Sequence, residues 1–311
     1  MLALNVNSTA LAVHHKLIKC WLSKKIKGNK SRKNRLGYKC EDDECEICKI
    51  DMHKAALPQV LVDFFTSEKI DALVLGKPKN LIELNEDYLN LGVDNDITVK
   101  LFVKSGYENW FQPNFGNKLL NNIDQDTCTY CNRNYTLQTV PNRSRAQLDH
   151  WFSKETYPLL ALSFYNLIPS CSSCNHLKLD AVINNDFAHP YTCNEENQKF
   201  TFSFNFVDLN KYYDIKCKVE ANSKMDNTLK GFKIKEIYNA HINKELKDLL
   251  ELRYKYSDNY IDLLINKTFQ GLMSKEEIYR MIFGIEIKEE EYHKRPFSKF
   301  KHDIIKELLE I

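Results

Sequence analysis

Two C-x-x-C pairs, Cys128-Thr-Tyr-Cys131 and Cys171-Ser-Ser-Cys174, constrain this chain more than any other feature. Two residues between thiolates let both sulfurs of a knuckle reach one ion, and two knuckles complete the tetrahedron that Zn²⁺ prefers. Four protein ligands leave no open coordination position, so a zinc held this way is structural. The gap between the pairs is longer than in a minimal zinc ribbon, so something is inserted between the knuckles. The competing reading is a thiol–disulfide oxidoreductase, which expects a thioredoxin-like βαβ context around one C-x-x-C. The sequence offers no such context, and two matched pairs favour zinc.

Composition sets the frame. A chain of 311 residues has room for one large domain or two or three small ones. The hydrophobic share of 43% and charged share of 28% are ordinary for a soluble globular protein. Glycine and proline are scarce, which argues against long flexible linkers. A net charge of +2 excludes a polycation, so any nucleic-acid footprint is local. The ten cysteines make the compartment matter. Residues Met1 to Val13 lack a basic n-region and are interrupted by Asn5, Asn7 and Ser8, a poor secretory signal. No apolar run approaches the ~20 residues that span a bilayer, so no membrane role is expected. The expectation is a reducing cytoplasm, where C-x-x-C pairs mean metal or redox chemistry more often than a disulfide framework.

Along the chain four segments are expected: 1–56, 57–125, 126–195 and 196–311. The first is basic and cysteine-bearing: Lys24, Lys25, Lys27, Lys30, Arg32, Lys33 and Arg35 precede the acidic Cys40-Glu-Asp-Asp-Glu-Cys45-Glu-Ile-Cys48. The second is mainly helical, with Pro58 suited to the first turn of a helix carrying Val60, Leu61, Phe64 and Phe65. The third carries the chemistry. In the fourth, Phe200, Phe202, Phe204 and Phe206 alternate with polar residues, and Ile215, Cys217 and Val219 repeat that period. Residues 200–220 therefore read as a hairpin. Helical spacing continues through Leu246, Leu249, Leu250 and Tyr254, then over Ser274–Phe283 and His302–Leu309. The fold class is α+β.

Between the knuckles stand Leu148-Asp149-His150-Trp151, then Tyr165-Asn166-Leu167-Ile168-Pro169-Ser170, and the second knuckle runs on as Cys174-Asn175-His176-Leu177-Lys178. An Asp-His pair, an Asn some sixteen residues later and Asn-His after the second C-x-x-C keep the order of HNH endonucleases. This stretch resembles that family in its zinc-bound subgroup. The resemblance implies a ββα-metal fold: one strand ending at Asp149-His150, a second through Leu167–Ser170, and a helix starting near Cys174. It also implies a metal-dependent nuclease, with DNA the usual substrate and RNA not excluded. The apolar Pro158–Tyr165 has the density of a short helix joining the strands. Neighbouring strand residues point to opposite faces, so Asp149 and His150 serve one site only if the strand ends or bends there.

Roles can be assigned from phosphodiester hydrolysis, which needs an activated water, charge neutralisation and help for the leaving oxygen. His150 suits the general base, and Asp149 is a hard oxygen ligand for Mg²⁺ or Mn²⁺. By the resemblance, Asn175 is the second metal ligand, with His176 as the alternative. By the same mapping Asn166 positions the loop bearing the base, completing the catalytic set. Lys178 offers a phosphate contact. His189, in Asp186-Phe-Ala-His189-Pro-Tyr191, is either a metal or phosphate contact or simply the mark of a turn. A lone Asp-His dipeptide would more often be a buried histidine satisfied by a carbonyl.

Weaker signals remain. Cys40, Cys45, Cys48 and His53 have the spacing of a second zinc site, but the acidic residues among them disfavour thiolates. Cys20, Cys193 and Cys217 look unpaired, with Cys217 on a strand face. The basic run can track a phosphate backbone or form a solvated loop. Phe283-Gly284 and Glu289 to Lys299 are similar to the segment C-terminal to the HNH module in some bacterial nucleases. Those work with SMC/ABC-type ATPases in two-component anti-phage systems, Septu among them, which implies a defence role and an ATPase partner. The reading from another class is a non-catalytic, zinc-stapled module that binds nucleic acid or a partner.

Overall fold

The computed structural model describes residues 1–40, 42, 45, 47, 52–137, 147–178, 184, 186–207, 213–269 and 271–309. The chain divides into two compact units. One comprises Met1–Asn5, Gln125–Gln147 and Pro169–Ile311; the other comprises Val6–Asp124 and Leu148–Ile168. Among the described residues helices dominate, with two small two-stranded sheets, so the molecule is α+β.

The second unit opens with α1 (Ser8–Lys27), a helix of 20 residues. Asn7 caps it, its side-chain oxygen accepting from the amides of Thr9 and Ala10, and Lys24, Lys25 and Lys27 sit in the last turn. Cations there complement the negative end of the helix dipole. Three of the seven residues of the basic run thus sit in a helix terminus. The buried Ala10, His14, Ile18 and Trp21 recur at helical spacing along it.

Helices α2 (Gln59–Phe64), α3 (Ser67–Leu75) and α4 (Pro78–Leu89) come next, with Pro58 as the N-cap of α2. Asp71 of α3 accepts from His15 at 2.6 Å and from Lys19 at 2.7 Å, pinning α3 to α1. From α5 (Asn95–Thr98) to α6 (Asn117–Ile123) the chain is helical throughout, its middle part Val99–Gly116 in the wide π form. There Gly106 lets the backbone come close: a Cβ would meet Leu162 at 2.8 Å and Trp21 at 3.2 Å. Trp21 stacks on Trp110 at 4.7 Å, within a core that includes Phe65, Phe102 and Phe111.

Strands β1 (Gln147–His150) and β2 (Leu167–Ser170) make one sheet. The chain passes from one unit to the other inside each of these strands. Between them, Pro158–Leu162 and Phe164–Asn166 are 3₁₀ turns, and α7 (Ser172–Lys178) comes directly after β2.

In the first unit β3 (Thr201–Phe206) pairs antiparallel with β4 (Tyr213–Lys218), Phe202 opposite Cys217 and Phe204 opposite Ile215. Phe202, Tyr238 and Phe300 pack together at ring distances of 4.4 to 5.3 Å. The helices α8 (Lys224–Gly231), α9 (Ile234–Asn239), α10 (Lys247–Lys255), α11 (Asp258–Leu263), α12 (Lys275–Phe283) and α13 (Ser298–Leu309) complete it. Ser274 and Glu277 form a reciprocal capping box on α12. Asp303 of α13 accepts from the Phe202 amide at 2.9 Å, tying α13 to β3. Among the described residues, no helix is long and apolar enough to cross a membrane.

Candidate metal centre and candidate active site

The sulfurs of Cys128, Cys131, Cys171 and Cys174 lie within 4.8 Å of one another. All four are buried, and none is in a disulfide. The first knuckle is a tight turn. The Cys128 amide donates to Asn134 O (2.9 Å), and the Asn132 amide donates to Cys128 O (2.7 Å). Asn132 takes a left-handed φ of 48°, which asparagine tolerates better than most residues. Its side-chain nitrogen donates to Thr127 Oγ1, Tyr292 O and Arg295 O at 2.9 to 3.1 Å. Tyr238 donates to Cys131 O at 2.6 Å. The knuckle is thereby fastened to the C-terminal helices of its own unit.

The second knuckle joins the first through the Thr129 amide, which donates to Pro169 O at 3.2 Å. Asn134 Nδ2 donates to Cys171 Sγ at 3.3 Å, the kind of outer contact that orients a metal-bound sulfur. The thiols perturb one another strongly. Burial, then hydrogen bonding to Cys131, pushes Cys128 up. The Cys128 thiol, hydrogen-bonded to Cys131 and Cys171, lowers both, Cys131 to about 7. Cys174 is pushed up by its contacts with the same neighbours, Cys128 first. Four buried sulfurs this close are poorly satisfied as thiols, which are weak hydrogen-bonding groups, and repel one another as thiolates. A divalent cation resolves the conflict, and an all-sulfur, buried set with two-residue spacing fits Zn²⁺.

In the second unit, His150 ends β1 and is 7% exposed. Its Nε2 donates to Ala161 O at 3.0 Å, so the lone pair of the neutral ring resides on Nδ1. The edge of Tyr107 meets the ring at 4.3 Å, and the Tyr107 hydroxyl donates to Leu148 O at 3.1 Å. Burial, and then the charge of Asp149, pushes the Tyr107 phenol far up, so it stays protonated. Asn166 is fully buried: its Oδ1 accepts from the Phe152 amide (2.7 Å), while Nδ2 donates to Phe152 O and Leu160 O. Its backbone carbonyl accepts from the Trp151 amide at 2.9 Å. Four hydrogen bonds thus hold the two residues after His150 and the turn beyond them.

Asp149 is 6% exposed. Asn175 is half-buried on α7, and its Nδ2 donates to Gln147 Oε1 at 2.6 Å. His176, one residue on, is exposed. Lys178 is 7% exposed and lies one turn from Asn175. His189 is buried and opens a turn: its carbonyl accepts from the amides of Thr192 and Cys193, and its Nδ1 accepts from the Tyr191 amide.

Two members of the suggested second set share a neighbour from α1. Cys40 and Cys45 lie with Cys20, the three sulfurs within 4.8 Å of one another. Cys20 looks unpaired in the sequence because it stands alone inside a helix, and no spacing rule reaches it. His53 is exposed and outside this group. Cys48 lies outside the described residues. Gln147, Tyr107 and Asn134 also carry no mark in the sequence pattern used above. Asn134 stands near enough to Cys131 to be sought as a knuckle donor, whereas Tyr107 is 41 residues from Leu148 and leaves no local trace.

No family model matches the chain, and no solved structure matches it. A stretch of 77 residues, 25% of this chain, is 30% identical to the Septu protein PtuB of Bacillus thuringiensis. The chain spans 28% of that relative's length. Over this stretch the chain is similar to a Septu protein.

Proposed function

We propose that the chain is a metal-dependent endonuclease of the HNH type, acting on DNA in anti-phage defence beside an SMC/ABC-type ATPase. The observation that carries this reading is the mooring of His150. A histidine whose Nε2 donates to Ala161 O is held in a set orientation, as a general base requires. Nδ1 takes the proton of the attacking water, and Asn166 holds the segment after His150 so that the ring keeps its direction. By the resemblance to HNH nucleases, Asp149 is the residue that would hold Mg²⁺ or Mn²⁺ and Asn175, with His176 as the alternative, the second ligand; a carboxylate and an amide oxygen suit such hard ions. The bound ion supplies charge neutralisation at the scissile phosphate. Lys178 adds a positive charge for the phosphate. The defence role rests on the partial likeness to PtuB.

One observation favours the binding-module reading: Asp149 and His150 are both nearly inaccessible. Plasmid cleavage with Mg²⁺ or Mn²⁺, alone and with any ATPase encoded alongside, separates the two. Metal-dependent cutting that drops about 10²–10⁴-fold in His150→Ala matches the usual contribution of a general base. A folded, zinc-retaining protein that never cuts belongs to the binding class.

A further inference from the structure

We propose that Cys20, Cys40 and Cys45 form a second structural zinc centre, independent of the nuclease reading. Their sulfurs lie within 4.8 Å of one another. Sulfurs on one tetrahedral Zn²⁺, each about 2.3 Å from the ion, are separated by about 3.8 Å, within that limit. A disulfide would join two of them at about 2.05 Å and leave the third unused. Cys20 is 1% exposed and Cys45 9%, while Cys40 is half-buried, so two of the three sulfurs are shielded from bulk water.

The surrounding chain is built to hold this geometry. Lys24 lies one turn after Cys20 on the same face of α1, and it is 5% exposed. Its ammonium donates to Ile47 O at 3.2 Å, fastening Ile47 onto the helix. The Ala55 amide donates to Lys25 O at 2.8 Å, a second tie to the same helix end. The acidic residues around Cys45 disfavour thiolates, and a buried ammonium on the Cys20 face opposes them. Between Cys20 and Cys40 the chain has eight basic residues and no acidic one, from Lys24 to Lys39. Zinc would close this basic stretch into a loop anchored at both ends. The fourth coordination position belongs to a residue beyond the trio. Cys48 completes a C-x-x-C with Cys45 in sequence, but the proposal stands on the three cysteines described.

The test is zinc content of the full chain, purified under reducing conditions, by elemental mass spectrometry. Two zinc per chain are expected, falling to one in Cys20→Ser. One zinc in the wild type, or two retained in Cys20→Ser, overturns the proposal. Because Cys20→Ser can also disturb α1, the wild type is probed directly with N-ethylmaleimide and peptide mapping. Cys20, Cys40 and Cys45 should resist alkylation until a chelator is added. Alkylation at the same rate with and without chelator would refute the centre, as would a disulfide within the trio.

Discussion

The two cysteine clusters reach comparable sulfur separations by different chain routes. In the larger one, each C-x-x-C turn assembles half of the site locally, and the fold has only to join two finished halves. In the smaller one no local half exists: Cys20 comes from the interior of α1, while Cys40 and Cys45 come from the chain after it. Local assembly writes itself into spacing, and tertiary assembly does not. The larger cluster is also gripped by side chains of its unit, through Asn132 and Tyr238, whereas the smaller leans on Lys24.

That contrast can be broken most sharply at Cys171. Cys171→Ser should release zinc and cost several kcal/mol, since structural zinc in small domains contributes on the order of 10 kcal/mol. Circular dichroism melts with zinc analysis would show it; a zinc-free variant with an unchanged midpoint would mean that hydrogen bonds alone hold the knuckles.

The unit carrying the smaller cluster should show its own signature, in pH. Burial first of all lowers His14 from 6.5 to about 4, and its Nε2 donates to Leu162 O. The unfolded chain takes up this proton more readily than the folded one. His14 therefore contributes full stability above about pH 6.5, and loses it as pH falls toward 4, by about 3 kcal/mol in all. Denaturant titrations at a series of pH values should slope less steeply in His14→Phe across that window. An equal slope would assign the acid sensitivity to other groups.

Smaller effects sharpen the description of the larger cluster. Asn132→Ala removes three donated bonds and places a poorly tolerated residue at φ 48°, with an expected loss of about 2–3 kcal/mol. Tyr238→Phe removes one bond to Cys131 O and should cost about 1 kcal/mol. Chemical denaturation measures both, and the reverse order would place the grip in α9 instead of the turn.

Periodic and local features are legible in the chain itself. The alternation of phenylalanines marks β3 and β4 because a strand with one buried face needs period two. Strand β2 falls on the apolar run Leu167–Ser170, and the capped helix α12 starts where Ser274 suggested. Helix α1 is harder to read although its apolar spacing is helical, because the basic run at its end masks the pattern with charge.

By itself, then, the sequence determined the α+β class, the paired cysteines and the order of Asp149, His150, Asn166 and Asn175. Tertiary structure alone decided that Cys20 joins Cys40 and Cys45, that Asn175 bonds Gln147 while His176 faces solvent, and that His150 leans on Tyr107 and Ala161. The reason is physical. A turn or a strand is specified by residues a few positions apart, whereas these contacts depend on where packing places elements that share no local pattern.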